Sequence, residues 1–427
     1  MNNILEYKKE FFLLIILYFS LYLGFFFENR NAIDNLENYF FGNFLQNIGP
    51  YSDFIMRESI IENFSNNFSY TLLHYDETND RHSPLILMYF SIYRKLGLDI
   101  DTIRLLHINI VPLCALAFFK CLKIKFPEIK NNLLFILSLS IFLSPTMRSL
   151  SIWPDSRIYG LFFFIISIYF FIKFNNQKKF IDVLYNTFFL CLASYISPNF
   201  GIFFIFYFYN YLNYYKFSLK SLWIILVNLV CALPAYYYLF ELKIFFLSKA
   251  AIGEIDLLTR INLSNKILII SSIILFYFIP IFTNKEFISS YCKNNISNKK
   301  IFLSLLLTGF LILFFSYEVI FTGGGIFFQL SNLMFGNNIL FFAICFLSIL
   351  LFISLWNIND NNKFILFCLI ASTPQLTIYH KYFDPLLIVI IFLLLELNYD
   401  IKKIVNIYYL KFLYFFNLGF LMLNYLK

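Results

Sequence analysis

The sequence predicts an all-α, polytopic transmembrane helix bundle of about 12–13 spans, with a long extracytoplasmic first loop carrying juxtamembrane helices. Three observations predict it. Hydrophobic residues make up 60% of the 427 and charged residues only 14%, where a soluble domain carries about 25% charged residues. Apolar runs near the length a bilayer requires, about 20 residues, recur along the whole chain. One polar interval, residues 28–105, breaks that pattern directly after the first run. The chain therefore reads as one integral membrane domain, 1–427, with 28–105 as a loop inside it.

The first apolar run, residues 11–27, is read as a retained anchor because no small-residue cleavage site follows it. The further candidate spans are 106–122, 131–145, 158–174, 181–197, 199–215, 221–240, 265–283, 301–321, 338–356, 364–379, 384–397 and 405–425. Segment 84–93 is too short to cross and is read as an interfacial or re-entrant piece of the first loop. Lysine sets the orientation. Eighteen of the 25 lysines, from Lys8 and Lys9 through Lys173, Lys178 and Lys179 to Lys402 and Lys403, fall in alternate loops. That pattern puts the N-terminus in the cytoplasm. The net charge of +8 resides largely in these loop lysines and is not a nucleic-acid signal. The seven cysteines show no disulfide or metal-ligand spacing and read as small apolar residues within helices.

Arginine behaves oppositely. All eight, Arg30, Arg57, Arg81, Arg94, Arg104, Arg148, Arg157 and Arg260, map to the other side. In a chain whose Asn, Ile, Lys and Phe load resembles AT-rich coding sequence, lysine is the default cation. An arginine kept against that bias points to its planar fork, which grips phosphate or carboxylate through two bonds. The competing reading is pairing with neighbouring acids in folded loops.

Four constellations carry chemistry. Asp34 and Glu37, shortly after the first run, stand at i, i+3 and share one face if helical. A carboxylate at a dry membrane rim acts as a general base towards a hydroxyl; the alternative is a solvated helix cap. Trp153-Pro154-Asp155 lies in a short loop with Arg148 and Arg157 close by. Its acid suits orienting a substrate, binding a metal, or a plain salt bridge. Tyr379-His380-Lys381-Tyr382-Phe383-Asp384-Pro385 sits between two late spans, where ionisable groups are costly and functional by default. An interfacial belt of tyrosine and snorkelling lysine is the bland alternative. His82-Ser83-Pro84-Leu85 breaks the chain before a short apolar run, and Glu318 falls just inside the span 301–321.

Together these features resemble the GT-C superfamily of membrane glycosyltransferases, which includes protein O-mannosyltransferases and the aminoarabinose transferase of lipid A. In that family an acidic pair and a tyrosine follow the first span. Asp34 and Glu37-Asn38-Tyr39 look like that motif, with the acids separated rather than adjacent. His82-Ser83-Pro84-Leu85, Gly97 and Arg104-Leu105 are similar, in order, to the family's Lys/His-Pro-Pro-Leu stretch, glycine and Arg-Leu, with Ser83 in place of one proline. Trp153-Pro154-Asp155 is similar to its second outer loop, and Lys381-Tyr382 with Pro385 to a late Arg/Lys-Tyr. The match covers 28–160 and 380–385; the middle of the chain corresponds only as alternating spans.

The resemblance implies a glycosyltransferase that moves a sugar from a polyprenyl-phosphate carrier to a hydroxyl of a cell-envelope lipid, glycan or protein, outside the bacterial inner membrane. Its implied catalytic residues are Asp34, Glu37 and Asp155. Arg104, Arg148, Arg157 and Lys381 would bind the donor phosphate. Tyr39, His82, His380, Tyr382 and Asp384 would position substrate. No essential cofactor is implied, a divalent cation being optional at Asp155. The expected partners are the lipid-linked sugar and membrane lipid, with no nucleic acid. These residues are expected to line one outward-facing cavity. A transporter or flippase of lipid-linked glycans is the rival; it calls for charges near the midplane and inverted repeats, and no repeat is visible. A non-catalytic envelope-assembly subunit is the third reading.

Overall fold

The computed structural model describes residues 8–34, 49–78, 80, 83–240, 262–318, 323–375 and 377–425. It is all-helical, 82% helix, and among the described residues the only β-pairing is an isolated bridge between Gly323 and Tyr379. Among the described residues five helices are long and apolar enough to cross a membrane: Lys9–Phe26, Ile100–Lys125, Ser156–Gln177, Leu219–Tyr238 and Ile339–Trp356. Two sharply bent helix pairs raise the number to seven if each counts as one span, and four shorter apolar helices accompany them. These helices are compatible with an integral membrane protein.

Several expected spans are shorter or broken. The helix expected over 301–321 closes at Leu313, so Glu318 lies beyond it and is exposed. The span expected over 384–397 contains an eight-residue helix, Leu386–Leu393, buried on all sides. Residues 145–157, expected to be loop, contain the helix Pro145–Ile152. Ser144 opens it by accepting from the Met147 N–H at 3.0 Å, with Pro145 at the first position, where a missing N–H costs nothing. Segment 84–93 is part of an 11-residue helix, Leu85–Lys95. It packs beside the 18-residue helix Gly49–Asn66, to which Arg94 ties it through Glu62 at 2.9 Å.

The backbone groups into two compact units: residues 1–125 with 138–251, and residues 126–137 with 252–427. In the first, the helices Ser156–Gln177 and Phe180–Ile196 form a tight hairpin, with Ile110–Lys125 along the outside of the former. The turn is possible because Lys178 takes a left-handed conformation, φ 55°. Two devices draw the hairpin together. Gly160 lets the chain at Ser197–Phe200 approach; a Cβ there would stand 2.6 Å from Ser197 Cβ and 2.9 Å from the Phe200 ring. Fully buried Asp182 meets Lys173 at 3.1 Å, and Asn186 donates to the Ser167 carbonyl at 2.8 Å. The first helix, Lys8–Asp34, attaches through Tyr18, which donates to Asn109 at 2.6 Å, and through Arg148, whose fork reaches Ser20 Oγ and Ser20 O at 2.9 and 2.8 Å.

The second unit centres on Leu263–Phe278. Ile339–Trp356 packs on it through Ser271 and Ser348, hydroxyl to hydroxyl at 3.0 Å. Asn362 fastens the chain at Glu396: it donates to the Glu396 carbonyl at 2.8 Å and accepts from its N–H at 3.0 Å. Here and in the hairpin, side-chain amides satisfy polar groups that no water reaches.

Gly160→Ala is expected to lower thermal stability by about 1–3 kcal/mol, the usual range for overpacking a tight contact, measured as a falling midpoint for the detergent-solubilised protein.

Candidate functional site

The most heavily charged buried locus in the first unit forms where Gly49–Asn66, the turn after Tyr75 and the start of Ser156–Gln177 meet. Asp155 is the cap of the last of these. One carboxylate oxygen accepts from the Arg157 N–H at 2.8 Å, satisfying a donor that every helix start leaves open. The other accepts from Arg57 Nη1 at 3.1 Å. Arg57 Nε lies 3.8 Å from Asp80, and Arg157 Nε 3.8 Å from Asp155. Arg57 and Asp155 are only 4% and 3% exposed. Two guanidinium groups and two carboxylates thus offset one another in a place nearly closed to water. A charge left single there would cost several kcal/mol. Tyr75 is hydrogen-bonded to Asp80, and burial together with that carboxylate pushes its phenol well above the ordinary value.

Trp153 borders the cluster. Its ring stacks under the Arg104 guanidinium at 3.6 Å, and Phe25 lies on the same group at 4.6 Å. Arg104 also donates to Asp101 at 2.9 Å and to the Ile152 carbonyl at 3.1 Å. His107 Nε2 lies 2.8 Å from the Leu150 carbonyl. Arg104 is therefore a brace between the first helix and the loop before Asp155, and Arg148 braces Ser20 in the same way. Of the three arginines expected to hold a donor phosphate, Arg157 alone stands in the acid cluster.

No family model, no curated protein and no solved structure matches this chain. The site is therefore read from its own geometry.

Lys381, His380, Tyr382 and Asp384 belong to the second unit. There Tyr277 meets His380 Nε2 at 3.1 Å, and Asp384 is buried. Phe276 and Phe420 close around the imidazole. Lys381 Nζ lies 4.9 Å from the centre of the Tyr379 ring, and Tyr382 packs edgewise near the same ring. Asp34 closes the first helix, but its side chain, with Glu37, Tyr39 and His82, lies outside the described residues. Among the described residues no three His, Cys, Asp or Glu side chains gather as a metal site. The oxygens of Asp155 are held by Arg57 and Arg157.

Sequence reasoning missed Arg57, Asp80, Tyr75 and Tyr277. Arg57 did leave a trace. It falls in register with Phe54, Ile61 and Phe64, at spacings of three, four and three, and all three are buried. A guanidinium on an apolar stripe announces a buried partner. Which partner was not legible, because Asp155 is 98 residues away.

Two outcomes follow. Arg57→Ala strands Asp155 and leaves Asp80 without its guanidinium, and stability is expected to fall by about 3–5 kcal/mol in an unfolding assay. Glu58 on the same helix has its carboxyl raised above the ordinary value by partial burial and by Glu62. A raised carboxyl binds its proton more tightly folded than unfolded, so its contribution is lost as pH climbs through that window. Glu58→Gln is expected to flatten the decline and leave the protein more stable at neutral pH, read from melting curves against pH.

Proposed function

We propose that this chain is a GT-C-type glycosyltransferase of the bacterial inner membrane, moving a sugar from a polyprenyl-phosphate carrier to a hydroxyl acceptor on the extracytoplasmic side. The observation that carries the reading is the gathering of Arg57, Asp80, Asp155 and Arg157, from three stretches of the chain, into one buried cluster at the start of the apolar helix Ser156–Gln177. A lipid-linked donor requires cations and acids at such a rim, within reach of a carrier whose tail stays between helices.

The chemistry follows from the donor. An acceptor hydroxyl loses its proton to Asp34 or Glu37 and attacks the anomeric carbon, most simply with inversion. The carrier phosphate leaves with growing negative charge, and a guanidinium positioned at it acts most strongly in the transition state. Arg157 takes that role here. Asp155 holds Arg157 from both its backbone and its side chain and orients the acceptor or a divalent cation.

Arg157→Gln is expected to lower transfer about 10²–10³-fold at unchanged protein level, and Asp34→Asn with Glu37→Gln to abolish it. The measurement is the mass difference in surface glycolipids between cells with and without the gene, repeated for each variant alongside an immunoblot. Wild-type transfer in the double acid variant removes the general-base assignment; unchanged glycolipids on deleting the gene remove the function.

A further inference from the structure

We propose that the helix Lys285–Asn295 is a docking site for anionic phospholipid headgroups, lying along the membrane surface with Lys285 and Lys293 as its phosphate-binding cations. The inference rests on reading the chain as membrane-embedded and is independent of the glycosyltransferase reading.

It begins at a corner in the second unit. Lys285–Asn295 and Asn298–Leu313 meet at a bend of 88°. The second of these helices exposes Phe302, Leu303, Leu305, Leu306, Phe310 and Leu313. A helix so apolar on its outer side belongs among acyl chains. Its neighbour, turned through a right angle, then runs along the membrane surface.

Both ends of that surface helix are fastened. Asn284 caps the start by accepting from the Phe287 N–H at 3.0 Å, and it donates to the Lys403 carbonyl at 3.0 Å. At the far end Lys300 Nζ donates to the Asn295 carbonyl at 2.8 Å, satisfying an acceptor that a helix end leaves open. Phe287, Tyr291 and Asn295, at spacings of four, are buried, and Phe287 packs edgewise on Tyr399. The rotation of the helix about its axis is thereby set. Lys285, Ser289 and Lys293, also at spacings of four, form an exposed stripe away from that face. Ile288 and Cys292 are exposed between the two. An apolar flank beside a cationic stripe is the disposition of an interfacial helix.

A groove of about 600 Å³ runs along the polar side, lined by Lys285, Glu286, Ser289, Ser290, Lys293 and Asn294. It offers ammonium, hydroxyl and amide donors against a single carboxylate, a set suited to phosphate oxygens. Lys285 and Lys293 stand two turns apart, about 12 Å along the axis, so each meets its own headgroup. Exposed Lys403 and Lys299 extend the positive charge beyond the two ends, while Lys402 is paired with Glu128. This charge selects the occupant. An anionic headgroup is attracted, by about fivefold in affinity for each lysine; a zwitterionic one brings its own cation and gains no net attraction.

The test uses full-length protein in neutral detergent, with bound lipids counted by native mass spectrometry. Phosphatidylglycerol and phosphatidylcholine with the same acyl chains are titrated separately. The expected result is stronger retention of phosphatidylglycerol, weakened by added salt. Lys285→Gln with Lys293→Gln is expected to weaken that retention about 25-fold, with phosphatidylcholine binding and the melting midpoint unchanged. Lys285→Arg with Lys293→Arg preserves it, as does removing charge from exposed Lys120 and Lys123 in the first unit. Equal retention of the two lipids, or wild-type retention in the glutamine pair, overturns the proposal. An equal loss in the Lys120 and Lys123 variant overturns the assignment to this helix. Displacement of phosphatidylglycerol by inorganic phosphate overturns the lipid as occupant.

Discussion

Asp155 is where the first unit is committed. One carboxylate oxygen completes the start of a 22-residue helix and the other receives a guanidinium from a helix 98 residues earlier. A carboxylate this deeply removed from water is costly unless a positive group stands beside it. The pair need contribute little net stability to matter. Its effect is on register, since a shifted Gly49–Asn66 helix would carry Arg57 away and leave the acid alone.

The same constraint recurs wherever a polar group enters the apolar body. Asp182 meets Lys173, Asn186 and Asn362 tie main-chain groups of neighbouring segments, Arg148 grips Ser20, and Tyr195 enters a helix broken by proline. In lipid, hydrophobicity does not distinguish one helix pairing from another, because acyl chains are as apolar as leucine. Close approach at small residues such as Gly160 and these few polar contacts therefore select which helices meet.

That economy bears on chemistry. Arg104 and Arg148 look from the sequence like free anion ligands beside spans, yet their forks reach carbonyls, a carboxylate, a hydroxyl and two aromatic faces. Arg157 and Asp155 share the mixed-charge cluster, and the phenol of Tyr277 meets His380 in the second unit. In each, the same side chains brace the fold and gather charge in one place.

Composition and apolar run length alone determined that the chain is helical with helices long and apolar enough to cross a bilayer, because a bilayer leaves the backbone few other ways to satisfy itself. The cap at Asp155, and the break before it at Pro145, are also local and were legible in part. What only tertiary structure decided is who meets whom. Arg57 and Asp155 lie in separate parts of the chain, as do Tyr277 and His380. Residue types at one position carry no record of a partner a hundred positions off. That pairing is settled only when helices pack and each buried charge must find its complement.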